Sequence, residues 1–331
     1  MEKYNIPQDT EIVSEPKLLW GDRWTDEKLD AFEKYVRAYL TIMNKYRHKY
    51  NWKLLYFDGF AGSGTRNDDI GEDATLYKLF EDETITEEQL GVYKGAAERV
   101  VSLDIEGFDK YYFVDLDKES NNKLKERLSP YDPDGVRFEF RNKDANDITQ
   151  MMGQHMAKEW RKWKGLVLLD PFGMSINWST IESLKNASID LWILVPTGVI
   201  INRLLERDGS LKHIDKLKSF FGMTKDEISD FFYKKRTENT LFGEVELIEK
   251  VKNPIQKIAE LYVERLKKEF KYVTESPLVL TNNRRVPIFH FVFASNNQTA
   301  VNIAQQIIKK KSSLNPQLHS RSATYKRGMD F

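Results

Sequence analysis

Lys53-Leu54-Leu55-Tyr56-Phe57-Asp58-Gly59-Phe60-Ala61-Gly62-Ser63-Gly64 is the stretch on which the reading of this chain turns. Leu54 to Phe57 is an apolar run without polar alternation, the pattern of a parallel strand covered on both faces. Asp58 stands where such a strand ends. Gly59, Gly62 and Gly64 then allow a sharp turn and a close approach of backbone to a ligand. In open α/β sheets ligands bind beyond the carboxyl ends of the strands. A carboxylate followed by this glycine turn therefore predicts a site for a nucleoside-containing cofactor. The plainer reading is a strand–turn–helix whose glycines serve packing; three further strands that end in the same way weigh against it.

Spacing narrows the cofactor. A dinucleotide site asks for Gly-x-Gly-x-x-Gly and an acid about 20 residues further on. Here Asn67 holds the third position, and the next acid at a strand end, Asp115, is much farther away. No Gly-x-x-x-x-Gly-Lys-Ser/Thr occurs, which excludes a P-loop. Asp-x-x-x-Gly-x-Gly without those features fits S-adenosylmethionine better than a nicotinamide dinucleotide or a nucleoside triphosphate.

Composition sets the outer bounds. With 331 residues, 40% apolar and 12% aromatic, the chain can bury a large core, and its formal charge is zero. No global field draws it to nucleic acid or membrane. Local charge is uneven: Arg66 to Glu106 holds 4 basic and 12 acidic residues, and Lys252 to the end holds 14 basic and 5 acidic. The basic C-terminal region suits an anionic partner such as nucleic acid, or is a solvated helix face with a basic tail. Cysteine is absent, which removes disulfides, thiolate metal sites and a thiol nucleophile. The five histidines are scattered, so no metal site is expected. The apolar run Leu191 to Ile201 contains Pro196 and Gly198 and is too short to cross a bilayer. MEKYNIPQDT does not have the pattern of a secretory leader. A cytoplasmic location with no membrane partner is expected.

Around the opening strand the pattern repeats. An amphipathic helix is predicted over 26–48, with Thr25 as its N-cap and Lys28 at the third helical position. Residues 65–94 read as an acidic irregular insertion, a lid or a surface loop, followed by a short helix over Gly95 to Leu103. Tyr111 to Val114 is a second apolar strand, ending at Asp115-Leu116, and a helix from Lys118 to Leu128 follows. Val136 to Phe140 is a third strand that runs on to Asp144-Ala145, followed by a helix over 147–162. Gly165 to Leu169 is a fourth, ending at Asp170-Pro171-Phe172-Gly173. A helix over 178–187 and a strand over Leu191 to Val195 complete five units. Strands alternating with helices at this spacing predict a parallel sheet. Residues 202–250 read as helical, with Lys234-Lys235-Arg236 in a loop. Ile255 to Phe270 reads as a helix, Tyr272 to Leu280 and Ile288 to Phe293 as an antiparallel pair, and 297–310 as a final helix. One domain over 1–331 is expected: an N-terminal helical extension to 50, a cofactor-binding half over 51–200, a helical insertion over 201–253, the end of the sheet with the last helix over 254–312, and a tail from 313.

Four acidic strand tips on one sheet edge would face one crevice. Asp58, with Gly59, Phe60, Ala61, Gly62, Ser63 and Gly64, would meet the methionine end of the cofactor. Asp115, with Asp117 as competitor, would accept from the ribose hydroxyls in charge-assisted hydrogen bonds. Asp144 and the Ala145 amide would meet the adenine edge. Each acid has an alternative duty, since Asp after a strand is a common helix cap. Asp170 sits where a methyl acceptor belongs: it can accept a proton or hydrogen bond, Pro171 stiffens the turn, and Phe172 can stack on a planar substrate or pack into the core.

The same residues carry a resemblance. A Gly-rich first motif, an acid after the second strand, Asp-Ala after the third and Asp-Pro after the fourth resemble class I S-adenosylmethionine-dependent methyltransferases. That likeness implies a Rossmann-like, mainly parallel seven-stranded sheet with an antiparallel last strand. Phe60 to Gly64 with Asp-Pro is similar to the amino-methyltransferases of nucleic-acid bases, but Phe172-Gly173 replaces their Pro-aromatic pair. More closely, the chain resembles the three-Cys-motif partner family (TcmP). That resemblance rests on Trp24-Thr25 with Lys28-Leu29, Phe57 to Gly64, Asp144-Ala145-Asn146, Leu169 to Met174 and Leu261 to Leu266. It implies a methyltransferase-like protein paired with a separate radical S-adenosylmethionine-type protein that bears the cysteines. Three functions follow as expectations: a methyltransferase acting on nucleic acid or peptide, a non-catalytic cofactor-binding partner of that second protein, or a different nucleoside-binding enzyme such as a dehydrogenase.

Overall fold

Trp24, Phe32, Tyr35, Val36, Tyr39 and Leu40 are buried because they recur at three- and four-residue spacing along helix α1 (Arg23–Tyr50), which lays that stripe on a sheet. In this computed structural model the described residues are 23–64, 95–171, 173–240, 243–282 and 284–313. Strand β1 (Lys53–Asp58) lies at the middle of the sheet, parallel to β2 (Lys110–Asp115) on one side and to β4 (Trp163–Leu169) on the other. Beyond β2 comes β3 (Phe138–Asn142), and beyond β4 comes β5 (Ile189–Val195), both parallel. The connections are helical: α2 (Ala96–Val101), α3 (Lys118–Leu128), α4 (Ala145–Lys158) and the short α5 (Trp178–Glu182).

After β5 the chain forms α6 (Ile214–Phe221) and α7 (Lys225–Phe232), then a separate antiparallel pair, β6 (Tyr233–Thr240) and β7 (Gly243–Lys250). Helix α8 (Pro254–Glu269) returns it to the sheet. Strand β10 (Pro287–Ser295) pairs antiparallel with β5. On its other edge β10 pairs antiparallel with β8 (Tyr272–Val273) and β9 (Leu278–Thr281), and helix α9 (Gln298–Ser313) follows. The main sheet thus reads β3-β2-β1-β4-β5-β10, with the last position shared by β8 and β9. The expected seven positions are present, but the seventh is broken into two pieces, giving eight strands. Pro277 has no N–H to continue the ladder.

Period-two alternation sends the strands' side chains to two cores. Tyr56, Phe113, Leu168, Trp192 and Phe291 pack with α1, α2, α3 and α9. Phe57, Val114, Leu169, Ile193 and Val292 pack with α4 to α8. Burial on both faces explains why these runs lack polar alternation.

Four expectations need correction. Helix α1 spans Arg23–Tyr50, so Thr25 lies within its first turn and is not its N-cap. The third strand is Phe138–Asn142, two residues later than its sequence pattern suggested, and α4 begins at Ala145, capped by Asp144. The helix expected over 178–187 ends at Glu182. Residues 233–240 and 243–250 are paired antiparallel strands, so 201–253 is not wholly helical and Lys234-Lys235-Arg236 lies in β6. Cross-strand register sets Lys234 opposite Glu249, and Arg236 reaches Glu249 at 3.6 Å. This charge pairing across strands resembles the charged face of a helix when read along the chain. The acidic insertion 65–94 lies outside the described residues.

Candidate functional site

The glycine turn hangs between two neighbouring strands. The Gly59 amide donates to the Leu168 carbonyl at 3.0 Å, and the Ala61 amide donates to the Val114 carbonyl at 2.9 Å. The chain therefore leaves β1 at the level where β2 and β4 also end. Gly62 and Gly64 have φ of 58° and 74°, left-handed values that side-chain-bearing residues rarely adopt. A Cβ on Gly59 would meet the Leu169 side chain at 2.7 Å, so bulk there would force that buried side chain to shift. Ser63 is buried within the turn.

Asp58 is 1% exposed. Its carboxylate accepts from the Tyr56 hydroxyl at 3.1 Å and from the Phe60 amide at 3.3 Å. Burial first, and then the nearby Asp170 carboxylate, push its pKa up to about 7; the Phe60 amide, the Tyr56 hydroxyl and Lys28 pull the other way. A buried carboxyl with a raised pKa at a strand tip is a group whose charged form a cation would favour.

A cation reaches this corner from α1. Lys28 is buried on the apolar stripe of that helix, four residues after Trp24, and its ammonium donates to Asp170 Oδ2. The lysine side chain is 7% exposed and the aspartate side chain 22%, and the ammonium also lies 5.4 Å from the Trp24 ring centroid. Lys28 thus stands beside two carboxylates that end adjacent strands, and it compensates both. Sequence reading placed Lys28 at a helix terminus and assigned it no part in the site. The available signal was a lysine at i+4 from a tryptophan on an otherwise apolar face. Beyond Asp170, Pro171 is buried, and Gly173 turns the chain at φ 69° with Ile200 3.3 Å from where a Cβ would be. Phe172 lies outside the described residues.

Asp115 and Asp117 divide their work. Asp117 is the N-cap of α3, accepting from the Glu119 and Ser120 amides, bonds that hold its carboxyl below the usual range. Asp115 Oδ2 accepts from the Gly62 amide at 2.9 Å, and Oδ1 from the Asp117 amide at 2.7 Å. Burial raises its carboxyl against those two bonds. It is therefore Asp115 that ties the second strand tip to the glycine turn. Leu116 is 74% exposed beside it, and Asn142 Nδ2 donates to the carbonyls of Asp115 and Leu116, fixing this backbone. Asp144 is exposed and caps α4, accepting from the Asn146 amide at 2.7 Å; Ala145 is buried behind it. Asn146 links this corner to the segment after β4, donating to the Ser175 carbonyl and accepting from the Asn177 amide and the Thr180 hydroxyl. Of the four acidic tips, Asp58, Asp115 and Asp170 surround the glycine turn, and Asp144 has a helix-capping duty.

The donor and acceptor set fits S-adenosylmethionine. A carboxylate accepts about four hydrogen bonds; the two protein bonds to Asp115 leave capacity for a diol. Leu116 offers an open apolar surface next to it for a planar base, and Asp58 offers a buried anion for an ammonium. Among the described residues no group of three His, Asp or Glu side chains forms a metal-binding set, and no helix is long and apolar enough to cross a membrane.

No family model and no curated protein sequence matches this chain. Solved structures align with it at low identity. LPL1258 of Legionella pneumophila, a DUF519 protein, is 14% identical over 84% of this chain and 99% of its own, with a TM-score of 0.37. The DszA carbon methyltransferase is 15% identical over 80% of this chain and 54% of its own, with a TM-score of 0.32. The fold itself is defined by the strand order. Five parallel strands in the order 3-2-1-4-5, then an antiparallel strand wedged between the fifth and the sheet's edge, are the Rossmann-like fold of class I methyltransferases.

Proposed function

We propose that the protein is an S-adenosylmethionine-dependent methyltransferase. The observation that supports this most is the convergence of Asp58, Asp115 and Asp170 about the Gly59–Gly64 turn, with Lys28 closing on Asp170. The cofactor would supply an electrophilic methyl group on a sulfonium. Asp58 would hold the ammonium of its amino-acid end, Asp115 the ribose hydroxyls, and Leu116 one face of the adenine. Asp170 would orient the acceptor nucleophile by hydrogen bond, with Lys28 holding the carboxylate in place. Catalysis of an in-line displacement then comes mainly from positioning in a pocket shielded from water.

The TcmP resemblance adds a finer reading, in which the chain works beside a separate cysteine-bearing protein of the radical S-adenosylmethionine type. A second function, a cofactor-binding partner without catalysis, is favoured by one specific observation. Lys28 already occupies an oxygen of Asp170, which leaves that carboxylate less able to accept from a substrate. The acceptor is a nucleic acid or a peptide; of the basic C-terminal region, residues 314–331 lie outside the described residues, and Lys311 is paired with Asp30.

The test is titration calorimetry with S-adenosylhomocysteine, followed by incubation of the protein with methyl-labelled cofactor and separate pools of RNA, DNA and protein. Binding, with label in one pool that Asp170→Ala abolishes at unchanged cofactor affinity, is the expected result. Absence of binding removes both readings; binding without transfer to any pool leaves the scaffold.

A further inference from the structure

The opposite end of the same strands is built from rings and cations. Trp52 immediately precedes β1, and Trp160 to Lys162 immediately precede β4. Strand register pairs Lys53 with Trp163, and the Lys53 amide donates to the Lys162 carbonyl at 2.8 Å. These residues therefore stand at the amino edge of the sheet, separated from Asp58 by the six residues of β1, about 20 Å at ~3.3 Å per residue.

The last turn of α1 extends this edge. Tyr46 and Tyr50 have centroids 6.4 Å apart, and Tyr50 stacks on Trp52 at 4.9 Å. Lys164 lies 5.1 Å from the Trp52 centroid and 5.8 Å from that of Trp160, joining the two rings. Arg161 covers Trp160 at 5.2 Å, and Lys49 covers Tyr50 at 5.4 Å. The result is a continuous ribbon of alternating aromatic faces and cations. Two of its rings keep about half their surface open: Tyr50, between Tyr46 and Trp52, is 51% exposed, and Trp160 is 50% exposed. The acids nearby are largely committed. Glu106 is paired with Arg47 and His48, and Asp109 with Arg47 and Lys53; Glu159 is exposed at the end of α4.

Stacked cations alone would make a solvated basic face. Large open rings spaced along it are the added feature, and together the two match a flexible polyanion that carries planar groups. A duplex hides its base faces and a peptide rarely offers successive planes, so neither uses the rings. We propose that the amino edge of the sheet is a docking surface for single-stranded nucleic acid. Backbone phosphates lie along Lys49, Arg161 and Lys162, and bases stack on Tyr50 and Trp160. The surface is separate from the glycine-turn crevice and stands whether or not methyl transfer does.

Fluorescence anisotropy with a labelled 12-nucleotide single-stranded RNA tests this on the full chain. Binding should weaken steeply with salt, exceed that of the same sequence as a duplex, and be unchanged by S-adenosylhomocysteine. Tyr50→Ala and Trp160→Ala should each lower affinity about tenfold, with thermal unfolding temperature held within a few degrees. Lys49→Gln with Arg161→Gln should flatten the salt dependence. No binding, equal binding of duplex or heparin, or full affinity in both ring variants would each overturn the proposal.

Discussion

The two ends of the central strands are opposites in charge and in exposure. At the carboxyl edge Asp58, Asp115 and Asp170 gather around a glycine turn, partly or wholly buried, bonded to backbone amides and to one buried ammonium. At the amino edge cations lie over half-open rings in solvent. The same parallel strands produce both, because every β1–β5 strand begins at one edge and ends at the other. The contrast teaches where strain is stored. Burying carboxylates side by side costs stability and keeps them reactive toward a cationic ligand, whereas the exposed cations cost little and offer a surface.

The largest effect should come from removing the cation that crosses into the acidic edge. Lys28→Met leaves Asp58 and Asp170 neighbouring without compensation and should destabilise by about 3–5 kcal/mol in denaturant unfolding. Adding Asp170→Asn should restore most of that loss, a rescue that a purely packing role for Lys28 would not give.

A smaller effect of opposite sign is expected at Asp58. Its folded pKa of about 7 lies above the ordinary 3.8, so the native carboxyl keeps a proton that the unfolded chain has released. That contribution to stability is full below about pH 4 and is lost as pH rises through about 7. Asp58→Asn should therefore stabilise the ligand-free protein by roughly 2 kcal/mol at pH 8, the ~4 kcal/mol of the shift less the weakened hydrogen bonds to the Tyr56 hydroxyl and Phe60 amide, with the gain shrinking toward pH 4, while cofactor affinity falls. Thermal melts across that pH range, paired with calorimetry, check both halves.

The smallest effects separate two adjacent carboxylates. Asp117→Ala removes a helix cap and should cost about 1 kcal/mol with cofactor affinity unchanged. Asp115→Ala should cost about as much in stability and lower S-adenosylhomocysteine affinity about tenfold or more, through the lost Gly62 and ribose bonds. Equal affinities in the two variants would blur the distinction between them.

The acidic edge was legible as a series of strand tips. An apolar run that stops at an Asp, repeated after β1, β2 and β4, carries its own register, because parallel neighbours must end together. The glycines were legible for the same local reason, their positive φ. The strand pair β6 and β7 was not, since its charges pair across strands rather than along a helix. That Asp144 also caps α4 was only partly legible, because that duty is settled by where the helix begins. The amino-edge ribbon escaped notice because Tyr50, Trp52, Trp160 and Lys164 come from two distant segments, each unremarkable alone.

From sequence alone came the parallel sheet, the glycine turn and the acids that end its strands, because these depend on periodicity and on backbone conformation over a few neighbouring residues. Tertiary structure alone decided that Lys28, 142 positions before Asp170, is its partner. A buried charge finds its counter-ion through the packing of a whole helix across a sheet, and no local pattern encodes that crossing.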